Sequence, residues 1–447
     1  MSFISEKVVI PSSGAGPSET YYLAQVTGAD IWNWEFDTDE NMIVVGCSNR
    51  NSSSVKTAWT AKIQPDLTID WEKENFNQQN GATEFSGDSL HLDTATNKLW
   101  VFSSGYRNGG ITRLNYATAA VENEISITAG STEIAFIVSH SDSTYIYVYG
   151  MVYGAPAYLS FRLNKSTYAI SNVQLGNNNI YGVWGDTQLT NGTRVYLEYS
   201  GHVRHPSATY KFLSQTDTGG TSTAETFALC NYPSPSSDFG VVVSEGGTTN
   251  KLIINVHRRA GSNAAEVWKK SYKVLLNGVW DIGRVTNCSV DSQGNMYIVG
   301  SWGVWFNPEV GMFVVKLDPN GNVLWGRRIK RGTTLMLPTR CFVNSLDTLV
   351  VTGVEGTDDI QYLYKSGKGR NYFNNSFIFR LPPDLAAGTY GSYTINNLTV
   401  TDSGYTPTVQ TVSAASYQTP PTLTNQTGWF LTYTPTGVTV TSQEITP

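Results

Sequence analysis

Metal, nucleophilic or acid–base chemistry in this 447-residue chain would have to come from five histidines, four cysteines and one pair of adjacent aspartates. "HVRH" sets His202 and His205 at a two-ligand spacing, but no carboxylate or third ligand stands near it. It therefore reads as a hydrogen-bonded loop rather than a metal site. "HLD" at 91–93 and "HSD" at 140–142 place His91 and His140 before aspartates that align with Asp37 and Asp291, so these are read as turn-forming Asp. Cys47, Cys230, Cys288 and Cys341 lie far apart, without the short pairs that zinc or redox chemistry uses, and read as small buried hydrophobes. Asp358-Asp359 could serve glycoside hydrolysis, which needs two carboxyls flanking a bond, but adjacent acids on a polar loop read as solvated. "DSQGN" and "DPNGN" carry too few acids for a calcium loop, and neither a nucleophile elbow nor a phosphate-cradling glycine loop occurs. The expectation is no catalytic residue, no metal and no cofactor.

Binding chemistry has better candidates. Aromatic and Arg side chains on exposed loops offer large apolar area with one polar handle. Such segments are "SSGYRNGG" with Tyr106 and Arg107, "MVYGAPA" with Tyr153, "SGHVRHPS" with Arg204, and "SWGVWFNPEVG" with Trp302 and Trp305. The long "VEGTDDIQYLYKSGKGRNYFNN" adds Tyr362, Tyr364 and Arg370. Trp302 and Trp305 would suit stacking on sugar rings.

The elements that must hold these loops repeat. Apolar runs begin at Met42, Lys98, Tyr145, Arg194, Gly240, Met296 and Leu349, about 51 residues apart, as propeller blades with loop insertions would be. The strand after each run tends to end in a basic and then an apolar residue: Lys62-Ile63, Arg113-Leu114, Arg162-Leu163, Lys211-Phe212, Lys316-Leu317 and Arg380-Leu381. The Gly240 repeat departs, with Asn255-Val256. Runs apolar on consecutive residues bury both faces of a strand, which a lone sheet cannot do. Sheets packed face to face around an axis can, with only short edges left over. The expected fold is therefore an all-β propeller of seven four-stranded blades, eight being the alternative. Its expected parts are a closure segment at 1–28, the propeller at 29–400 and a Thr/Pro-rich β extension at 401–447, whose residues 428–445 read as a hairpin.

Composition agrees, with 40% hydrophobic residues, only 15% charged, 41 Gly and 25 Tyr. A formal net charge of −6 without a dense Lys/Arg run argues against nucleic acid as a partner. The one basic cluster, "GRRIKRG" at 326–332, reads as a solvated strand end. The start shows no secretory signal, and no run of about 18 apolar residues suggests a membrane span.

The stretch "VDSQGNMYIVGSW…MFVVKLDPNGNVLWGRRI", with its clearest partner at 36–75, resembles the tandem β-propeller repeats of bacterial surface proteins and of bacteriophage virion proteins, including phages of marine and cyanobacterial hosts. That resemblance implies a non-enzymatic structural or host-binding component of a virion, tail- or fibre-associated and assembled in the host cytoplasm. Its partners would be other virion proteins and a host surface glycan or receptor, within a homo- or hetero-oligomeric assembly. The alternatives are a polysaccharide-active propeller enzyme, glycoside hydrolase or lyase, and a cellular interaction scaffold.

Overall fold

A computed structural model describes residues 4–10, 21–48, 57–74, 85–105, 108–129, 133–153, 157–175, 183–198, 202–215, 221–223, 226–244, 251–275, 283–302, 310–356, 375–412 and 438–444. Among these residues there is no helix; they form 35 strands. The chain opens with β1 (Ile4–Ile10) and β2 (Tyr21–Thr27). The first sheet is then β3 (Ala29–Phe36), β4 (Met42–Ser48), β5 (Thr57–Ile63) and β6 (Ile69–Glu74). The second is β7 (Phe85–Asp93), β8 (Lys98–Gly105), β9 (Asn108–Asn115) and β10 (Val121–Ala129). The third is β11 (Glu133–Ser141), β12 (Tyr145–Tyr153), β13 (Ala157–Asn164) and β14 (Ile170–Leu175). The fourth runs through β15 (Val183–Gln188), β16 (Arg194–Glu198), β17 (His202–His205), β18 (Ala208–Gln215) and the short β19 (Thr221–Thr223). The fifth is β20 (Thr226–Asn231), β21 (Phe239–Ser244), β22 (Lys251–Arg259) and β23 (Glu266–Leu275). The sixth is β24 (Gly283–Val290), β25 (Met296–Trp302), β26 (Gly311–Leu317) and β27 (Val323–Lys330). In the seventh, β28 (Leu335–Val343), β29 (Leu349–Gly356) and β30 (Asn375–Leu381) are completed by β2, with β1 outside it.

Two compact units divide the chain. Gly28–Trp184 with Tyr417–Pro447 form one, which holds the first three sheets; Met1–Thr27 with Gly185–Ser416 form the other, which holds the rest. Within each unit the reason for stacking is the second strand. β4, β21 and β25 are buried at every residue, whereas the fourth strand of a sheet alternates, as in β6 and β27. A strand buried on both faces needs a neighbouring sheet on each side. Accordingly Ile43 and Val45 share a core with Leu90, Leu99 and Val101 of the next sheet, and Val242 and Ile254 share one with Val285, Met296 and Phe313. Four-stranded antiparallel meanders packed in this way are the blades of the β-propeller class.

The turns entering the second strand at Asp37 and Asp291, and the turn between third and fourth strands at Asp318, are built locally. Asp37 Oδ1 accepts from the N–H of Asp39 (2.9 Å) and of Asn41 (2.8 Å), and its Oδ2 accepts from Asn41 Nδ2 (2.8 Å). Asp291 makes the same set with Gln293 and Asn295, and Asp318 makes it with Asn320 and Asn322. The fourth residue of each turn has positive φ, 62° at Glu40, 84° at Gly294 and 77° at Gly321. Glycine enters that region without strain, which is why two of the three turns use it.

The tail does not form a separate blade among the described residues. A hairpin of β31 (Gly388–Tyr390) and β32 (Tyr393–Asn397) pairs through β32 with β27. β33 (Thr399–Asp402) then pairs with β23, and β34 (Val409–Val412) with β18. The tail thus lines the sixth, fifth and fourth sheets in reverse order. In the other unit, β35 (Val438–Glu444) pairs antiparallel with β10 as an added outer strand of the second sheet. Of the hairpin expected at 428–445, only β35 is described; residues 428–437 and 445 lie outside the described residues. An outer edge left bare presents unpaired N–H and C=O groups, and an added strand satisfies them.

Candidate functional site

The loop residues expected to make contacts fare differently. Trp302 is the last residue of β25, 1% exposed and packed in the core with Val285, Ile298 and Phe313, so it is not a surface anchor. The physical reason is that β25 stays buried to its end. Arg204 lies in strand β17 rather than a loop, and Tyr153 ends β12. Tyr106, Arg107, Trp305, Tyr362, Tyr364 and Arg370 lie outside the described residues, as does Asp358-Asp359.

The histidine spacing at 202–205 also resolves into structure. His205 is buried; its Nε2 lies 3.1 Å from the Gly261 carbonyl and its Nδ1 accepts from the Ser207 N–H, so both ring nitrogens are engaged. Burial holds it below the ordinary imidazole range. All four cysteines are buried and none is in a disulfide. Cys288 and Cys341 are pushed up by that burial, which leaves them poor nucleophiles.

The basic residue near the end of the third strand is a stitching element. Lys62 sits 3.6 Å from Asp37 and over the Tyr116 ring at 4.7 Å, and Lys316 sits 3.6 Å from Asp291 and over Tyr297 at 4.7 Å. In the fifth sheet the register shows which residue is equivalent. Phe239 pairs with Arg259 and Gly240 with Arg258, as Met296 pairs with Leu317 and Tyr297 with Lys316. The basic position is therefore Arg258, ion-paired with Asp238 at 2.8 Å and lying over Tyr232, and not Asn255. Asp37 is likewise committed: burial opposes its ionisation, but hydrogen bonds from Tyr116 and Asn41 outweigh it and hold its carboxyl low.

Five first strands carry the same bulge, at Ile31/Asn33, Gly87/Ser89, Val138/His140, Val285/Asn287 and Pro338/Arg340. Bulges re-aim side chains and often accompany functional sites. Here their polar groups reach the next sheet's backbone. The extra residue Asp88 accepts from the Phe136 N–H at 3.1 Å, and near the bulges Glu35 accepts from the Leu92 N–H at 3.0 Å and Ser289 from the Val343 N–H at 3.0 Å.

Two places break the repeat's rules. The first is the buried face of the third strand. It reads Trp59, Ala61, Ile63 in β5, Phe313, Val315, Leu317 in β26 and Phe377, Phe379, Leu381 in β30, and in β26 and β30 the leading Phe lies across a glycine, Gly300 or Gly353, of the second strand. At the matching register β22 has Asn255, His257 and Arg259, exposed by 0, 0 and 5%, with Val243 in place of the glycine. Asn255 Nδ2 donates to the Leu213 carbonyl at 3.1 Å, His257 meets the Phe212 ring edge-on at 4.7 Å, and Arg259 lies over Tyr210 at 4.6 Å. Burial, with Arg259 and Lys269 nearby, pushes His257 down to about 3. Asn255 Oδ1, both His257 ring nitrogens and Arg259 Nε are buried without a hydrogen-bond partner among the described residues. Each such group costs about 1–3 kcal/mol.

The second is Glu355, fully buried at the end of β29. It accepts from Gln25 of β2 at 3.1 Å, from Arg331 at 3.2 Å and from Tyr393 of β32 at 3.4 Å. Burial pushes it up to about 7, against the pull of Arg331. One carboxylate thus ties the N-terminal strand and the tail to the seventh sheet. Arg331 comes from the basic cluster that had read as merely solvated.

No family model matches the sequence, and no curated protein matches it. Among solved structures the chain is similar to the WD40 domain of SCAP from fission yeast (10% identity, TM-score 0.37, covering 90% of this chain and 99% of that one). It is also similar to the Dos1 propeller (9%, 0.37, covering 80% and 94%) and to an oligogalacturonate lyase in complex with manganese (11%, 0.43, covering 85% and 98%). At these values the fold assignment rests on the chain's own sheets.

Proposed function

We propose that the chain is a non-enzymatic structural or host-binding component of a bacteriophage particle, associated with the tail or its fibres. The observation that carries this is the tail's run of added strands: β32, β33 and β34 each extend a different sheet by antiparallel edge pairing. Edge addition gives backbone hydrogen bonds with little demand on side-chain identity, and it is a recurring way to fasten one polypeptide to another. A chain whose own tail covers the outer edges of three of its sheets is suited to a fixed role in an assembly. The likeness of its 290–329 repeat to virion propeller repeats supports the setting. Contact with a host glycan or receptor then falls to loops such as those of Tyr106-Arg107, Trp305 and Tyr362, without Trp302.

Mass spectrometry of purified particles is expected to find this polypeptide in structural amounts. Its absence from every particle fraction would overturn the proposal. Release of reducing sugar from host polysaccharide by the purified chain would put an enzyme in its place.

A further inference from the structure

The polar row on β22 is independent of that function. Nothing in the repeat requires it, because β26 and β30 fill the same slots with Phe, Val and Leu or with Phe, Phe and Leu. Local rules broken without an internal gain mark functional positions. The row faces β18, with the Phe212 ring against His257, and Tyr210 and Phe212 beneath Arg259. Its open atoms are an acceptor on Asn255, a donor and an acceptor on neutral His257, and the Nε–H donor of Arg259.

The charges beside it do not balance. Arg259 and Lys269 share one carboxylate, Glu266, at 3.9 and 3.3 Å, while Arg258 is matched by Asp238. Among the described residues the carboxylate nearest Arg259 is thus half-exposed, 3.9 Å away and shared, and a buried guanidinium is better matched by a closer carboxylate.

We propose that Asn255, His257 and Arg259 form a binding site, between β18 and β22, for a small hydroxycarboxylate. Arg259 Nε–H and one His257 N–H hold the carboxylate, and Asn255 Oδ1 accepts from the hydroxyl. Phe212 forms the apolar wall, and Tyr210, whose side chain hydrogen-bonds Arg259, flanks it.

The test uses the full chain and sodium glycolate after overnight equilibration, since the row is closed off from solvent, with sodium chloride at equal ionic strength as control. A ligand that binds only the folded state raises Tm. A saturable rise of about 2 °C or more over the control is expected, and it should vanish in the variant Asn255→Phe, His257→Val, Arg259→Leu, which restores the apolar pattern of β26. No saturable rise, or an equal rise in that variant, overturns the proposal. If the variant fails to fold, equilibrium dialysis of 14C-glycolate against the unaltered chain decides: saturable retention displaced by unlabelled glycolate supports the site, and no retention above the chloride control overturns it.

Discussion

The fifth and sixth sheets are built from the same repeat, yet one buries Asn255, His257 and Arg259 where the other buries Phe313, Val315 and Leu317. Both rows are almost fully buried, so solvent does not account for the difference. The sixth sheet demonstrates that hydrophobic packing alone is sufficient at these positions. The fifth demonstrates that the same backbone tolerates a cation and an imidazole, provided that aromatic rings, a carbonyl and Glu266 surround them. What a slot in this fold accepts is set by the neighbouring sheet rather than by the strand itself.

The largest expected effect comes from exchanging residues between the two. Leu317→Arg puts an unpaired charge into an apolar core and should cost more than about 3 kcal/mol, read as a lowered urea midpoint or loss of soluble protein. Arg259→Leu, the reverse exchange, should cost less than about 1 kcal/mol or stabilise, as replacing buried charges with apolar residues often does. Equal costs would erase the distinction between the two sheets.

A smaller effect separates the paired turns. Asp291→Ala removes the buried partner of Lys316 along with three turn hydrogen bonds, and about 2 kcal/mol should be lost. Asp318→Ala breaks the same turn geometry at an exposed site and should cost under about 1 kcal/mol. Denaturant titration of the two variants checks the ordering.

A further contrast is a slope with pH. Glu355 lies at about 7 in the fold against 4.5 unfolded, so the folded state holds its proton more tightly. The stability it contributes is full below pH 4.5 and is lost as pH rises through 7. Glu355→Gln should flatten that fall in Tm between pH 4.5 and 7.5, and an unchanged slope would place the titration elsewhere. Like Arg259, Glu355 is a buried ionisable group, but one whose donors are all present.

Much of this was legible in the order of residues. The recurring apolar runs and the Asp37, Asp291 and Asp318 turns needed only short windows, since every bond that closes those turns lies within five residues. The contact residues were harder. Trp302 follows "MYIVGS" into a loop-like "GVWFNPEVG", and nothing local distinguishes the end of a buried strand from the start of an exposed loop. "HVRH" lacks an apolar run because β17 is only four residues long, so it read as a loop. The Asn255 register went astray for a related reason. A search for a basic residue followed by an apolar one cannot recognise Arg258-Arg259, where an arginine occupies the apolar slot.

Sequence by itself determined the repeat length, the turn chemistry and the all-β class, because these follow from side-chain alternation and hydrogen bonds between near neighbours. Only the tertiary structure decided which sheet edge each tail strand covers and which side chains meet between sheets. Glu355 meets Gln25 across 330 positions of chain, and Asn255 meets Leu213 across 42. Pairings at such separations are chosen by the stacking of whole sheets, whose burial energy outweighs the preference of any single residue.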